Sequence, residues 1–243
     1  MNENVKIYIC THTDFDCPVH HPVYEIVDAR TLNGDRAANG LHGSFYSELL
    51  TYKYLADHSE RLPEYVGFCG YRKYFEFMDD VPDIPRLIKE HGCVVTERQH
   101  FDCTVYEQYA RYHARQDMDL FRNVARRTFM TFGTILDKML LDYEMHTCNM
   151  FIVRRERFVN MMRMVWQVLD AYLAEAGNIT ERINSHPEWY LRRPGRGGTF
   201  AHQYRIGGYL GERLISAYMM DLFPDAKTYK MIVTEKPKQQ NPL

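Results

Sequence analysis

The chain has 243 residues, of which 45% are hydrophobic and 14% are aromatic, and its net charge is −2. This composition excludes a disordered chain and predicts a packed core. The near-neutral charge speaks against general attraction to nucleic acid or to anionic lipid. The length suits one α/β domain over residues 1–243.

The cysteines and the apolar segments bear on the cellular compartment. The six cysteines are scattered and show no C-x-x-C spacing, so neither a disulfide framework nor a zinc ribbon is expected. The sequence lacks the apolar region of a signal peptide and any apolar run long enough to span a membrane. We therefore expect a cytoplasmic protein with reduced cysteines, either free or peripherally associated with the inner face of the membrane.

Two strands are predicted near the start of the chain. Val5–Cys10 alternates and is rich in β-branched and aromatic residues, and Val23–Asp28 has a similar pattern. Thr11 and His12 follow the first strand directly. Polar residues at the tip of a first strand suit nucleotide binding, so these two side chains are predicted to line a nucleotide pocket.

A polar, turn-rich segment over residues 33–44 separates this region from the next elements. Phe45–Leu55 has apolar residues at helical spacing, with Ser44 as its predicted N-cap. Val66–Cys69 predicts a strand buried on both faces, and Gly70 allows a sharp turn at its end. Strand, strand, helix and strand in this order indicate an α/β sheet with helices packed on it.

Aromatic and cationic side chains follow the third strand directly, beginning with Tyr71, Arg72 and Lys73. In an open α/β sheet, ligands bind beyond the carboxyl ends of the strands. Arginine and lysine there suit phosphate, and tyrosine suits a base or a sugar ring. The sequence therefore predicts a ligand site at this edge, and the alternative is a basic surface turn after an edge strand.

Helical patterns dominate the middle of the chain. A short helix over Arg86–His91 and a strand over Cys93–Thr96 precede a long helical pattern over 105–141, in which Gly133 is the predicted break. Arginines along residues 105–127 raise the alternative of a nucleic-acid-binding module. The Asp and Glu residues among them favour a solvated helical face instead.

A strand, a helix and a loop are predicted after the helical region. Asn149–Val153 is apolar enough for another strand, and Phe158–Ala176 has the stripe of an amphipathic helix. The loop over 187–198 carries Arg193 and Arg196 among glycines, which is typical of a mobile flap over phosphate.

Five blocks of the sequence, in order, are VKIYICTH, FYSELLTYKYL, YVGFCGYRKYF, HTCNMFIVRRERF and RIGGYLGERLISAYM, and they span residues 5–220. Together they resemble the DUF4422 family of bacterial polysaccharide-biosynthesis glycosyltransferases. The most specific block is the third, which reads LCHYRRYF in the family. The resemblance implies a GT-A-like, Rossmann-like nucleotide-sugar-binding sheet flanked by helices, with a helix-rich C-terminal half.

The resemblance also implies a reaction. A hexose, with galactose favoured, would pass from a UDP-sugar to a glycan or lipid-linked acceptor of capsule, O-antigen or exopolysaccharide. Gly70 stands where the family has His, which leaves donor and acceptor preference open. No Asp-x-Asp follows the central strand to hold Mg²⁺ or Mn²⁺, so Arg72 and Lys73 are candidates to replace the ion, and the metal ligands stay unknown.

The chemistry assigns roles to the candidate residues. Breaking the anomeric C–O bond requires stabilisation of the leaving diphosphate, for which Arg72 is the predicted catalytic cation. The expected donor-binding residues are Thr11, His12, Tyr46, Glu48, Tyr71, Arg72, Lys73 and Asn149. The expected acceptor-binding residues are His146, Arg193 and Arg196.

Glu212 is the second predicted catalytic residue. It lies in the predicted last helix, Tyr204–Met220, next to three glycines that would let the backbone approach a ligand. Its carboxylate could deprotonate the acceptor hydroxyl, or it could pair with Arg205 or Arg213 and hold the helix. Residues 233–243 are predicted to form a flexible tail.

One further alternative concerns function. The same pocket could belong to a non-catalytic subunit of a polysaccharide-biosynthesis complex that binds a nucleotide sugar or a glycan. An assay of hydrolysis or transfer with a panel of UDP-sugars separates this alternative from the enzyme.

Overall fold

The computed structural model of the chain describes residues 4–32, 41–191 and 198–234. Within these residues, eight strands form one mixed sheet and two form a separate ribbon. The strands are β1 (Val5–Thr11), β2 (Tyr24–Asp28), β3 (Tyr65–Gly70), β4 (Lys73–Phe75), β5 (Val94–Thr96), β6 (Gln99–His100), β7 (Glu144–Met145), β8 (Phe151–Arg154), β9 (Lys227–Tyr229) and β10 (Met231–Val233). All five predicted strands are present, which confirms the α/β fold class.

Helices surround the sheet and dominate the second half of the chain. They are α1 (Leu41–Tyr46), α2 (Leu49–Asp57), α3 (Ile84–His91), α4 (Val105–Tyr112), α5 (Arg115–Thr128), α6 (Met130–Leu140), α7 (Arg155–Ala176), α8 (Ile179–Ser185), α9 (Pro187–Tyr190), α10 (Phe200–Gln203) and α11 (Ile206–Leu222). Across the described ranges, no helix combines the length and the apolar character needed to cross a membrane.

Strand β3 lies in the middle of the sheet, between β1 and β8. β1 pairs in parallel with β2 and β3, so Ile9 lies beside both Ile26 and Cys69. β8 runs antiparallel to β3, and Phe68 near the end of β3 lies opposite Phe151 at the start of β8. The carboxyl ends of β1 and β3 therefore meet the amino end of β8 at one edge of the sheet.

Both faces of the central strands are buried. In β1, Ile7 and Ile9 belong to one hydrophobic cluster, which also contains residues of α3, whereas Tyr8 and Cys10 belong to a larger cluster with α2, α7 and α11. The predicted burial of β3 on both faces is confirmed, as is usual for strands covered on two sides. The six cysteines are free, and four of them are buried.

The helical region between residues 105 and 141 breaks at a different residue from the one predicted. Phe129 separates α5 from α6 because its backbone is extended, with φ −146° and ψ 100°. Gly133 lies inside α6, where a Cβ atom would come within 2.5 Å of the Arg126 Cα in α5. The glycine therefore serves close packing of two helices and not a break.

Two other predicted boundaries are wrong. The pattern over Phe45–Leu55 is divided into α1 and α2, because Ser47 adopts a left-handed backbone with φ 54°. Ser44, the predicted N-cap, lies inside α1. The start of the predicted flap over 187–198 is the short helix α9.

The described chain continues past α11 into the sheet. β9 pairs with β5, and β10 pairs with β4 so that Val233 lies opposite Lys73. The Thr234 amide donates a hydrogen bond to the Arg72 carbonyl oxygen over 2.9 Å. The predicted flexible tail over 233–243 therefore begins too early, and residues 235–243 lie outside the described part.

The arginines along residues 105–127 are mostly paired with carboxylates. The pairs are Arg111 with Asp102, Arg122 with Asp137, Arg126 with Asp137 and Arg127 with Glu175. A phosphate backbone is bound by cations that release their counterions to it, and these four cations are already neutralised by protein groups. The pairing favours the solvated-face interpretation over the nucleic-acid module.

Candidate functional site

A cavity of about 590 Å³ lies at the edge where β1 and β3 end. Its walls come from the end of β1, the turn between β3 and β4, the start of α2 and the residue that precedes α11. Ligand pockets in proteins typically measure about 300–1,000 Å³. The cavity is therefore large enough for a ligand, and it lies at the edge for which the sequence predicted a site.

Cations outnumber carboxylates on the described walls of the cavity. The charged wall residues there are Arg30, Arg72, Lys73, Arg205 and Glu48. Arg30 pairs with Asp28 over 2.6 Å and with Asp14 over 2.5 Å, so its charge is offset. The cationic character of the cavity therefore depends on Arg72, Lys73 and Arg205, and such a cavity suits an anionic ligand.

Arg72 has the least satisfied side chain of these cations. Its guanidinium lies 5.0 Å from the centre of the Tyr71 ring, a cation–π contact that fixes its position. The Tyr71 ring is in turn held edge-on by His12 and Phe15, with ring centres 5.4 and 5.7 Å away. The Arg72 Nε is buried and has no hydrogen-bond partner among the described residues. A buried N–H of this kind is unfavourable unless a ligand or an ordered water molecule supplies an acceptor.

Lys73 lies on the same wall beside Cys148, and its Nζ is 2.8 Å from the Cys148 Sγ. Burial opposes the charge of Lys73, but the Cys148 thiol and the carboxylates of Glu212 and Glu48 outweigh burial and raise its pKa. Burial also raises the pKa of Cys148, despite the lysine beside it. The pair is therefore an ammonium and a neutral thiol at pH 7, and Lys73 offers a positive charge to the cavity.

Arg205 reaches the cavity because α11 packs closely against α1. The Arg205 Nε donates to the Ser47 Oγ over 3.0 Å. A Cβ atom at Gly207 would lie 2.7 Å from the Phe45 Cδ1, and one at Gly208 would lie 2.7 Å from the Ser47 Oγ. The glycines of α11 were predicted to let the backbone approach a ligand, but they let it approach α1, the turn at Ser47 and the start of α2.

Glu48 is the carboxylate on the described walls, and the buried side-chain amide of Asn149 positions it. The Asn149 Nδ2 donates to the Glu48 Oε1 over 2.9 Å. Asn149 is only 4% exposed and is not among the cavity walls, and its side-chain amide contacts Glu48, so its donor contact stays a prediction. Cys148 and Asn149 both have left-handed backbones, with φ 72° and 52°. Such conformations are rare and strained in residues other than glycine, and they cluster at functional sites.

Glu212 stabilises this strained turn. Its Oε1 accepts a hydrogen bond from the Cys148 amide over 2.6 Å, and its Oε2 pairs with the Arg213 guanidinium over 2.8 Å. The Glu212 side chain is 19% exposed and is absent from the cavity walls. Because both oxygens are engaged by protein groups, the geometry favours the scaffolding alternative over the predicted catalytic base.

Thr11 and His12 lie on the cavity wall at the end of β1. The Thr11 Oγ1 donates to the Thr13 carbonyl oxygen over 2.6 Å and accepts from the Thr13 amide over 3.1 Å, so it fixes the turn after the strand. Partial burial, and then the charges of Arg205 and Arg72, lower the pKa of His12. His12 is therefore neutral at pH 7.

Tyr46 does not reach the cavity. It is 1% exposed, and its ring packs on Trp166 with the ring centres 4.4 Å apart. Burial raises the pKa of Tyr46 to about 12. Tyr46 lies on the core side of α1, whereas Glu48 follows the left-handed Ser47 and faces the cavity, so the structure gives no support to the predicted donor contact of Tyr46.

His146 is also a core residue. It is 8% exposed, its Nδ1 donates to the Thr96 carbonyl oxygen over 2.7 Å, and its amide donates to the Ser216 Oγ. Burial lowers its pKa to about 4. His146 is not among the cavity walls, so the structure gives no support to the predicted acceptor contact. Arg193 and Arg196 lie outside the described residues.

Arg205 and Ser47 are site residues that the sequence did not predict. Their positions depend on the packing of α11 against α1, for which the three glycines of α11 were the available signal. In the described part of the chain, no group of three or more His, Cys, Asp or Glu side chains is arranged to hold a metal ion.

The fold and the cavity define an α/β protein with a cationic ligand site at the carboxyl edge of its sheet. The chain belongs to the DUF4422 family, whose model, described as a domain of unknown function, matches residues 6–186. The fold is similar to the apo structure of the bifunctional glycosyltransferase WbbM, with a TM-score of 0.73 and 16% sequence identity. The match covers 96% of this chain and 46% of that chain, so this chain spans less than half of it. No curated protein matches the chain.

Proposed function

We propose that the protein is a glycosyltransferase that moves a hexose from a UDP-sugar to a glycan or lipid-linked acceptor of a bacterial surface polysaccharide. The observation that carries this proposal is the cationic cavity with the buried, unpartnered Arg72 Nε. Family membership and the fold shared with a bifunctional glycosyltransferase support it. The preference for galactose and the cytoplasmic location, free or at the inner face of the membrane, rest on the sequence alone.

Arg72 and Lys73 are the proposed binding groups for the diphosphate. Charge-assisted hydrogen bonds from a guanidinium and an ammonium are stronger than neutral ones, and they gain strength as negative charge develops on a leaving group. Arg72 is held by the Tyr71 ring and Lys73 by the Cys148 thiol, so both cations are positioned before a ligand enters. Such preorganisation is what catalysis of diphosphate departure requires.

Arg205 is the proposed third cation of the site. It is the residue that precedes α11, and the Ser47 hydroxyl orients it. A diphosphate in the cavity would be within the field of both Arg72 and Arg205, because both cations lie on its walls. His12 and Thr11 are proposed to contact the nucleotide at the end of β1.

Calorimetric titration with UDP, ADP, GDP and inorganic phosphate tests the ligand class. We expect UDP to bind more tightly than the other diphosphates, since the proposal names a uridine nucleotide. Binding of ADP or GDP with no binding of UDP or of any UDP-sugar would contradict the proposal.

Release of UDP from a panel of UDP-sugars tests the reaction. UDP-galactose, UDP-glucose and UDP-N-acetylglucosamine are incubated with octyl galactoside as a probe acceptor, and with water alone. We expect UDP release from at least one donor, fastest from UDP-galactose. Tight donor binding without any UDP release would show the non-catalytic subunit instead.

A further inference from the structure

The proposed transfer requires a group that removes the proton from the acceptor hydroxyl, and Glu212 is engaged elsewhere. Among the wall residues that the structure describes, Glu48 is the carboxylate. We propose that Glu48 is the catalytic base of the transfer, an inference that rests on the proposed function. From the sequence, Glu48 is expected only to bind the donor.

The two oxygens of Glu48 have different environments. Oε1 accepts the hydrogen bond from the Asn149 Nδ2 over 2.9 Å, whereas Oε2 accepts none from the described residues. One oxygen is therefore anchored, and the other is available to accept the proton of a hydroxyl in the cavity. A base must lie within hydrogen-bond reach of the proton that it removes, and Glu48 lies on the cavity wall as this condition demands.

The amide that anchors Glu48 is itself fixed. The Tyr52 hydroxyl donates to the Asn149 carbonyl oxygen over 2.9 Å, and Glu212 holds the preceding amide of Cys148. Asn149 is therefore a positioning residue for Glu48, and Glu212 holds the turn that carries Asn149. This chain of contacts explains why a strained left-handed turn lies directly behind the cavity.

Glu48 also lies near the cations that would hold the diphosphate. Its charge contributes to the raised pKa of Lys73 and opposes the lowered pKa of His12, which places the carboxylate close to both. The acceptor oxygen must approach the anomeric carbon on the side opposite the diphosphate. A carboxylate on the same cavity as the cations, but at the residue that precedes α2, can meet this requirement.

The acceptor oxygen forms a bond to the anomeric carbon, and its proton passes to the Glu48 Oε2. The bond between the anomeric carbon and the diphosphate oxygen breaks, and its electron pair stays on that oxygen beside Arg72 and Lys73. A single displacement of this kind inverts the anomeric carbon, so the product should have the opposite configuration to the donor.

Glu48→Gln and Glu212→Gln form the test pair, because each replaces a carboxylate by an amide of nearly the same shape. The assay measures transfer from the UDP-sugar that the wild type uses best to octyl galactoside, and calorimetry measures UDP affinity. Loss of a general base reduces rates by about 100-fold or more, so we expect this loss in the kcat of Glu48→Gln. We expect its UDP affinity to stay within about threefold of the wild type, since the diphosphate contacts remain.

Glu212→Gln should lose less than about tenfold in kcat, because an amide can still accept the hydrogen bond from the Cys148 amide. Should Glu48→Gln fail to fold, Glu48→Asp replaces it, and the withdrawn carboxylate should lower kcat by about tenfold or more.

The outcomes separate this inference from the proposed function. A wild-type kcat in Glu48→Gln, or in Glu48→Asp where that variant stands in, overturns the inference alone. So does a loss of UDP affinity that matches the loss of rate, or a product that retains the anomeric configuration of the donor. Absence of turnover by the wild type with every donor overturns the proposed function, and the inference with it.

Discussion

Two cationic regions of the described chain have different arrangements of charge. On the face formed by α5 and α6, Arg122 and Arg126 share Asp137, and Arg127 pairs with Glu175 on α7. At the carboxyl edge of the sheet, the Arg72 Nε is buried without a partner in the described residues. Arg122, Arg126 and Arg127 are therefore paired within the protein, whereas Arg72 forms no ion pair with the described residues.

This difference shows that the number of arginines in a segment does not identify an anion site. The helical face has more cations in sequence than the β3–β4 turn, but its carboxylates neutralise them and the pairs add only modestly to stability. At the sheet edge, the Arg72 guanidinium packs on the face of the Tyr71 ring, and no carboxylate of the described residues forms an ion pair with it. The unpaired cation is therefore the signal for a ligand.

Replacing one glycine in each region by alanine should give the largest difference between the regions, measured as the loss of unfolding free energy. In Gly133→Ala, the new Cβ would meet the Arg126 Cα at 2.5 Å, so α5 and α6 must separate. Overpacking of this kind costs about 2–3 kcal/mol, and we expect that loss in urea unfolding. In Gly70→Ala nothing lies within 4 Å of the new Cβ, and the free energy of unfolding should change by less than about 0.5 kcal/mol. Equal losses in the two variants would contradict the contrast between a packed region and an open one.

Arg72→Ala and Arg122→Ala test the same contrast in function. Removing the contact of Arg72 with a diphosphate should lose about 1.5–3 kcal/mol, which corresponds to a transfer rate about 10- to 100-fold lower. Because Arg72 has no ion pair in the described protein, the unfolding free energy of Arg72→Ala should stay close to that of the wild type. Arg122→Ala should instead keep the transfer rate and lose some stability. Steady-state kinetics and urea unfolding of both variants measure these two effects. Full activity of Arg72→Ala would show that Arg72 takes no part in the mechanism.

His12 gives the smallest expected effect, a dependence of UDP affinity on pH. In the empty cavity, partial burial and the charges of Arg205 and Arg72 lower the pKa of His12. A bound diphosphate offsets both cations and stabilises protonated His12, so the pKa rises on binding and protons are taken up. UDP affinity should therefore increase by roughly threefold as the pH falls from about 7 to about 6.

Calorimetry in buffers of different ionisation enthalpy measures this proton uptake. His12→Asn should abolish it, and His100→Asn on the exposed ribbon strand β6 should leave it unchanged. A UDP affinity that falls as the pH is lowered would show that His12 is not beside the diphosphate.

The parts of the site that follow strand ends could be predicted from the sequence. The alternating pattern of β1 and the apolar run of β3 identify two strands, and parallel strands bring their carboxyl ends to one edge. Thr11, His12, Arg72 and Lys73 were therefore placed on the cavity wall by local pattern alone. No contact between distant segments was needed for these four residues.

Residues whose position depends on distant packing could not be predicted. Tyr46 and Glu48 belong to one sequence block, but the left-handed Ser47 between them sends one side chain into the core and the other to the cavity. Arg205 reaches the cavity through the packing of α11 on α1. Helical periodicity gives no sign of either arrangement, because both depend on contacts between residues far apart in the sequence.

The central claim is that the carboxyl edge of the sheet, and not the face of α5 and α6, binds the ligand. Hydrogen–deuterium exchange with and without UDP tests it most directly, because it compares the two regions in one experiment. We predict slower exchange with UDP in peptides that cover residues 10–12, 47–52 and 70–73, and no change across residues 115–140. Protection confined to residues 115–140 would contradict the account, and so would UDP binding without protection at the ends of β1 and β3.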